Sequence, residues 1–229
     1  MSHQSTAEEV LDQYCRAMGP ELGKQFGRLW NECAWLHHLW HEYVVLFGSK
    51  PERIDLLNDA AGAFFRLVQD TFWDATLLQL ARLTDPPRSV GKDNLTLERL
   101  PGLVHKAIKP ETERLVAEIQ AKCRFARDWR RRRLAHRDLD LAIGEATIPL
   151  APASRASVRA AIDAIAALLN AIDGHYRDCT TAFQSVRPPR GAEALLYVLR
   201  DGLETRDKWK ERLASGHLDP DDLRPPRPI

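Results

Sequence analysis

Apolar side chains recur at helical spacing along most of the chain. In the first half, one such pattern runs from Glu21 to Phe47 and ends at Gly48. A second begins with Ser49 as its N-cap and continues until Asp85-Pro86-Pro87 breaks it. These two patterns predict two long amphipathic helices.

The second half of the chain predicts two more long helices. One starts near Pro110, and another begins at Ser154 or Ser157 and continues to about Phe183. Between the second and third helices, only a short helix fits within 96–107. An alternating pattern that suits a strand occurs only at Ala146 to Leu150. Four long helices predict an all-α bundle, which we place in residues 1–186.

The C-terminal part, residues 187–229, has a more polar and more proline-rich sequence than the bundle. A more polar helix is predicted from Ala192 to about Ala214, and it could serve as a docking or dimer arm. The last stretch, Leu218 to Ile229, has four prolines among twelve residues, which predicts a loose tail.

Composition narrows the class of protein. The 229 residues are 44% apolar, which supplies a substantial core, and the formal net charge is only +1. No apolar run is long enough for a membrane span, and the N-terminus lacks the pattern of a secretory signal. The four cysteines are widely spaced, as expected of reduced thiols. We therefore expect a cytoplasmic protein without membrane partners.

Positive charge is concentrated in one segment. Between Ala121 and Asp138 there are eight Lys or Arg against two Asp, a local charge of +6. On a regular helix His136 would lie about 20° from Trp129, and Arg132 would lie one turn before it. A histidine beside several guanidinium groups can transfer a proton, while the guanidinium groups bind phosphate. The segment is a candidate phosphate site.

Two other interpretations remain for the charged and histidine-rich segments. The basic segment can be a solvated helix face whose arginines pair with carboxylates elsewhere. The cluster of His37, His38 and His41 with Glu42 has metal-compatible spacing, and Asp74 on the next helix could join it. The pair His37 with His41 and the pair His38 with Glu42 point to different helix faces, and no matching Glu-x-x-His motif occurs on another helix. We therefore predict no metal.

The basic segment resembles the motif of the HEPN superfamily, the "higher eukaryotes and prokaryotes nucleotide-binding" helical bundles. That motif is an arginine, four to six residues and a histidine; Arg131 precedes His136 by four intervening residues and Arg130 by five. Similarity to the abortive-infection-related bacterial group covers roughly residues 20–185. It is carried by three segments: Trp40 to Tyr43, Phe72 to Asp85, and Trp129 with Ala135 to Asp138.

One departure from the HEPN pattern affects the choice of arginine. The family commonly has a polar uncharged or acidic residue after its arginine, whereas another arginine follows here in either register. The sequence therefore leaves Arg130 and Arg131 as alternatives, and it also fits a nuclease-inactive relative.

The resemblance implies a HEPN-like bundle that works as a metal-independent endoribonuclease without a cofactor. His136 would transfer a proton and Arg130 or Arg131 would stabilise the phosphate, giving a 2′,3′-cyclic phosphate. The remaining candidates form two groups. RNA or phosphate binding is assigned to Arg127, Arg132, Arg133 and Arg137, and support of the site to Asp128, Asp74 and Asp140.

The resemblance also implies partners. Relatives usually form homodimers with two motifs facing each other, and they act as toxins or antiviral abortive-infection effectors on RNA. Some pair with a nucleotidyltransferase-type antitoxin. The alternative function is a catalytically inactive HEPN-type module that binds nucleotide, RNA or a partner protein through Arg130 to Arg137.

Overall fold

The computed structural model describes residues 6–135, 138–185 and 190–217, and they form an all-α protein. The helices are α1 (Ala7–Met18), α2 (Pro20–Phe47), α3 (Pro51–Leu83), α4 (Lys109–Lys122), α5 (Arg124–Trp129), α6 (Leu139–Ile143), α7 (Arg155–Arg177) and α8 (Ala192–Ser215). Short 3₁₀ helices occupy Leu97–Gly102 and Phe183–Ser185, and Arg130–Leu134 form a π-helical segment. The predicted all-α class is confirmed.

Local capping explains where several helices begin. Ser154 caps α7, since its side chain accepts a hydrogen bond from the Ser157 backbone N–H at 3.1 Å. Thr6 and Glu9 form a capping box at α1, a helix that we did not predict. The predicted cap at Ser49 is wrong, because α3 begins at Pro51 and the Ser49 hydroxyl donates to the Val45 carbonyl instead.

The chain divides into two compact units. The first consists of the described residues of 1–41 and 71–187. It contains α1, most of α2, the end of α3 and α4 to α7. Its largest fully buried side chains include Phe26, Leu77, Ile119, Ile165 and Phe183, which come from five separate segments. Burial of these apolar surfaces is the main force that holds the unit together.

The second unit consists of the described residues of 42–70 and 188–229. Its core contains Leu46, Leu57, Phe65, Ala192 and Leu196. The start of α8 packs into this core, whereas every residue from 204 to 217 is exposed. The boundary that we predicted between residues 186 and 187 lies outside the described residues and stays a prediction.

Three predicted details of the first unit are wrong. The third long helix is divided at Cys123, whose backbone leaves helical geometry between α4 and α5. Helix α7 ends at Arg177, before Phe183, because Asp178 adopts a left-handed conformation with φ 52°. Residues 146–150 form no strand; the two strands that the described residues contain are β1 (Arg88–Ser89) and β2 (Lys92–Asp93), which pair antiparallel.

None of the helices among the described residues combines the length and the apolar character needed to cross a membrane.

Candidate nucleic-acid interface

The backbone of the basic segment departs from a regular α-helix. The Ala135 N–H donates to the Arg130 carbonyl at 2.8 Å, a π-type bond across five residues. The Asp138 N–H donates to the Arg132 carbonyl at 3.0 Å. The angles that we derived for a regular helix therefore do not apply to this segment. His136 and Arg137 lie outside the described residues.

The two candidate motif arginines have different surroundings. Arg130 forms an ion pair with Asp85, just after α3, and both side chains are partly buried. Among the described residues, Arg131 pairs with Asp128, three positions earlier, at 3.1 Å. The Arg131 side chain is 75% exposed, so most of its five N–H donors face solvent. Of the two, Arg131 is the more accessible to a ligand.

Arg132 holds the basic segment to the connection that precedes α7. Its guanidinium donates to the carbonyls of Ile148 at 2.7 Å and Pro149 at 3.1 Å, and the side chain is only 14% exposed. Carboxylate oxygens of Asp128 and Asp138 lie 3.7 and 3.6 Å from it. These contacts give Arg132 an intramolecular role, and phosphate could reach it only if they opened.

Ala151 supplies a second attachment for the same connection. Its N–H donates to the Asp128 carboxylate at 3.0 Å, and its carbonyl accepts from the Trp129 indole N–H at 2.8 Å. Asp128 thus serves one backbone amide and two arginines, Arg131 and Arg132. Asp128 thereby joins the basic segment to the connection before α7, and its supporting role at the site stays a prediction.

Arg127 is bound within the chain, whereas Arg133 is exposed. Arg127 donates to the backbone carbonyl of Gln120 at 2.8 Å and also to its side-chain oxygen, which links α5 to α4. Gln120 in turn donates to the Thr84 carbonyl at 3.0 Å. Arg133 is exposed, and its guanidinium carbon lies 5.0 Å from the centroid of the Trp129 ring, a cation–π contact.

Four arginines meet along one surface depression of about 630 Å³, here called the arginine groove. Its lining consists of Asp85, Pro86, Arg124, Arg127, Asp128, Arg130, Arg131 and Ala135. Four arginines against two aspartates leave an excess of two positive charges, which favours a polyanion. Arg124 was not among the predicted site residues, although its spacing of three and seven residues from Arg127 and Arg131 indicates a shared helix face.

Comparison with known families decides the classification. A HEPN family model described as AbiU2 matches residues 19–195, which is more than half of the chain. The chain belongs to the HEPN AbiU2 family. The predicted resemblance to abortive-infection-related HEPN proteins is thereby confirmed. No curated protein and no solved structure matches the chain.

The other two predicted supporting aspartates, Asp74 and Asp140, line different depressions. Asp74 and Asp138 line a depression of about 590 Å³, together with Arg132 and Arg133. Asp140 is exposed in the first turn of α6 and lines another depression, of about 460 Å³, beside Arg131. Asp140 therefore shares a depression with Arg131, which also lines the arginine groove, whereas Asp74 lines a separate depression.

The histidines of α2 are distributed between different neighbours. His37 is buried and stacks on Phe183, with 5.4 Å between ring centroids, whereas His38 packs against Trp35. Burial lowers the pKa of His37 to about 4, so its imidazole is neutral at physiological pH. Within the described ranges, no group of three or more His, Cys, Asp or Glu side chains is placed to hold a metal ion.

Proposed function

We propose that this AbiU2-family protein is a metal-independent endoribonuclease that acts as a toxin or abortive-infection effector. The observation that carries the proposal is the exposed Arg131 guanidinium at a positively charged groove, four intervening residues before His136. Arg130 is less suited to be the motif arginine, because its side chain is 36% exposed whereas that of Arg131 is 75% exposed.

The reaction that fits these groups is transesterification within RNA. The ribose 2′-oxygen attacks the adjacent phosphorus, the bond from phosphorus to the 5′-oxygen breaks, and a 2′,3′-cyclic phosphate forms. One imidazole accepts the proton of the 2′-hydroxyl and another donates a proton to the departing 5′-oxygen. In a homodimer, His136 of the two subunits would supply both imidazoles.

Arg131 would stabilise the negative charge that develops on the phosphoryl oxygens. A guanidinium can bind two oxygens at once and stays protonated throughout the reaction. Because the Arg131 side chain is 75% exposed and pairs with Asp128 alone within the described part of the chain, it can reach a phosphate at little cost in lost contacts. DNA would be inert, since it lacks the 2′-hydroxyl.

Cleavage of a labelled mixed-sequence RNA in excess EDTA tests the proposal. Wild type should cleave it, His136→Ala should abolish cleavage, and Arg131→Ala should slow it by on the order of 100-fold. Arg159→Ala is the matched control, because Arg159 is also an exposed arginine paired with one aspartate, Asp163, at 3.4 Å. Mass spectrometry of the fragments identifies the cyclic phosphate. Equal cleavage by wild type and His136→Ala would contradict the mechanism.

A non-catalytic HEPN module is the second candidate function. The pairing of Arg130 with Asp85 and of Arg131 with Asp128 favours it, because these contacts resemble an ordinary charged helix face. Such a module would bind RNA, nucleotide or a partner protein without cleaving RNA. RNA affinity that falls with salt, with intact RNA after long incubation, would support this second candidate.

The proposed partners follow from the same family membership. A homodimer would bring two motifs together, and a nucleotidyltransferase-type antitoxin would restrain them. Light scattering of the purified chain tests the dimer, and a monomeric mass at assay concentrations would contradict it.

A further inference from the structure

We propose that the arginine groove binds an RNA strand over more than one phosphodiester, and that Arg124 contacts a different phosphate of the strand from the one held at Arg131. The inference rests on the proposed RNA-binding function. Arg124 lies in α5, outside the arginine-to-histidine motif. The groove thereby extends the RNA contact beyond the reacting nucleotide.

Two of the four arginines in the groove are held by the protein itself. Arg127 is fixed on Gln120 through two hydrogen bonds, one to the backbone carbonyl at 2.8 Å. Arg130 is fixed on Asp85 by an ion pair. Both contribute positive charge to the wall, but these contacts and their partial burial hold the two guanidinium groups in place.

The other two arginines, Arg124 and Arg131, have guanidinium N–H groups that are available to a ligand. Arg131 is 75% exposed and has one carboxylate partner, Asp128. Arg124 is exposed, and its guanidinium forms no hydrogen bond or ion pair with any part of the chain that the structure describes. A guanidinium has five N–H donors, so each of these side chains can bind a phosphate without breaking the fold.

The spacing of Arg124 and Arg131 suits two different phosphates. Arg131 comes seven positions after Arg124, and the backbone stays helical through Arg130, so the two side chains begin roughly 10 Å apart along the axis. Successive phosphates of a stacked strand advance by only about 3.4 Å along its axis. One phosphate therefore does not naturally occupy both guanidinium groups, whereas a strand along the groove meets one after the other.

RNA is favoured over an acidic protein segment by the place of the groove in the chain. A guanidinium binds phosphate and carboxylate oxygens alike, but the groove lining includes Arg131 and Ala135, and the proposed motif histidine is the next residue in the sequence. Arg124 lines the same groove, so an RNA strand bound there can contact it as well as Arg131.

Binding of short RNAs to the non-cleaving His136→Ala protein tests the inference. Anisotropy of a labelled octanucleotide reports its affinity, and competition against it reports the affinity of an unlabelled dinucleotide, which has one phosphodiester. Adding Arg124→Ala should weaken octanucleotide binding by roughly tenfold at low salt. It should also lower the slope of log Kd against log salt by about 0.7, while dinucleotide affinity stays unchanged.

Arg159→Ala in the same background is the control, and circular dichroism checks the fold of each protein. If Arg124→Ala binds the octanucleotide as tightly as Arg159→Ala does, the inference is overturned. An equal loss for both RNA lengths would overturn the flanking position. Polyglutamate that binds as tightly as RNA of equal charge would overturn RNA as the ligand.

The nuclease and the groove can fail independently. Wild type that does not cleave RNA, with octanucleotide binding that depends on Arg124, would reject the proposed nuclease and support the groove. Cleavage that requires His136, with binding that does not respond to Arg124→Ala, would do the reverse.

Discussion

Protonation of His37 is expected to destabilise the AbiU2 protein below neutral pH. The residue is 5% exposed and stacks on Phe183, and its Nε2 atom has no hydrogen-bond partner among the described residues. Burial is the largest cause that lowers its pKa from 6.5 to about 4. Asp163 raises this pKa and Arg159 lowers it, both by smaller amounts. An unfolded chain would bind a proton at His37 that the folded chain excludes.

The direction and size of the effect follow from that difference in pKa. Because the folded pKa is the lower one, the stability contribution is fully present above pH 6.5 and declines as the pH falls toward 4. The total loss is on the order of 3 kcal/mol below pH 4. About 2 kcal/mol of it is lost by pH 5.

Urea unfolding followed by far-ultraviolet circular dichroism, at pH 7 and pH 5 and constant ionic strength, measures this loss. Wild type is compared with His37→Leu, which is apolar and similar in size, so that titration of the other groups cancels. Wild type should lose about 2 kcal/mol more than the variant. His217→Leu, which removes an exposed imidazole, is the control and should behave like wild type.

The reasoning is refuted if the difference in unfolding free energy between wild type and His37→Leu is the same at both pH values. That result would mean that the folded protein accepts a proton on His37 as readily as the unfolded chain does.

Two further predictions concern packing and charge. Gly23→Ala should destabilise the protein by roughly 1–3 kcal/mol, because the added methyl group would lie 2.6 Å from the Cys15 backbone. Gly202→Ala, on an open helix face, should instead stabilise it by up to about 1 kcal/mol, and thermal unfolding distinguishes the two. Asp85→Asn should strengthen RNA binding by the non-cleaving protein several-fold, because it releases Arg130; unchanged affinity would show that Arg130 does not face RNA.

Much of the helical architecture could be predicted because its signals are local. The extent of α2 follows from apolar periodicity, and the starts of α7 and α8 follow from Ser154 and Ala192. Helix α1 was missed, although Thr6 and Glu9 have the spacing of a capping box. The capping-box spacing is visible in the sequence, but the apolar pattern of this helix is short.

The candidate site was predictable only as a segment. Charge density and the spacing to His136 located the basic segment, which lies within the range of the family match, residues 19–195. The division of the third helix at Cys123 and the π-type turn after Trp129 were not predictable from a 3.6-residue period. That period assumes uninterrupted helical geometry, whereas the backbone of Cys123 has φ −95° and ψ 6°.

The sequence by itself determined the helical class, the family and the position of the charge, because each depends on residues close together in the chain. Only the tertiary structure decided which arginines are available. Arg130 meets a carboxylate 45 positions earlier, and Arg132 meets carbonyls 16 and 17 positions later. Such contacts depend on how distant segments fold together, so the six described arginines of the basic segment have different surroundings although the sequence makes them look alike.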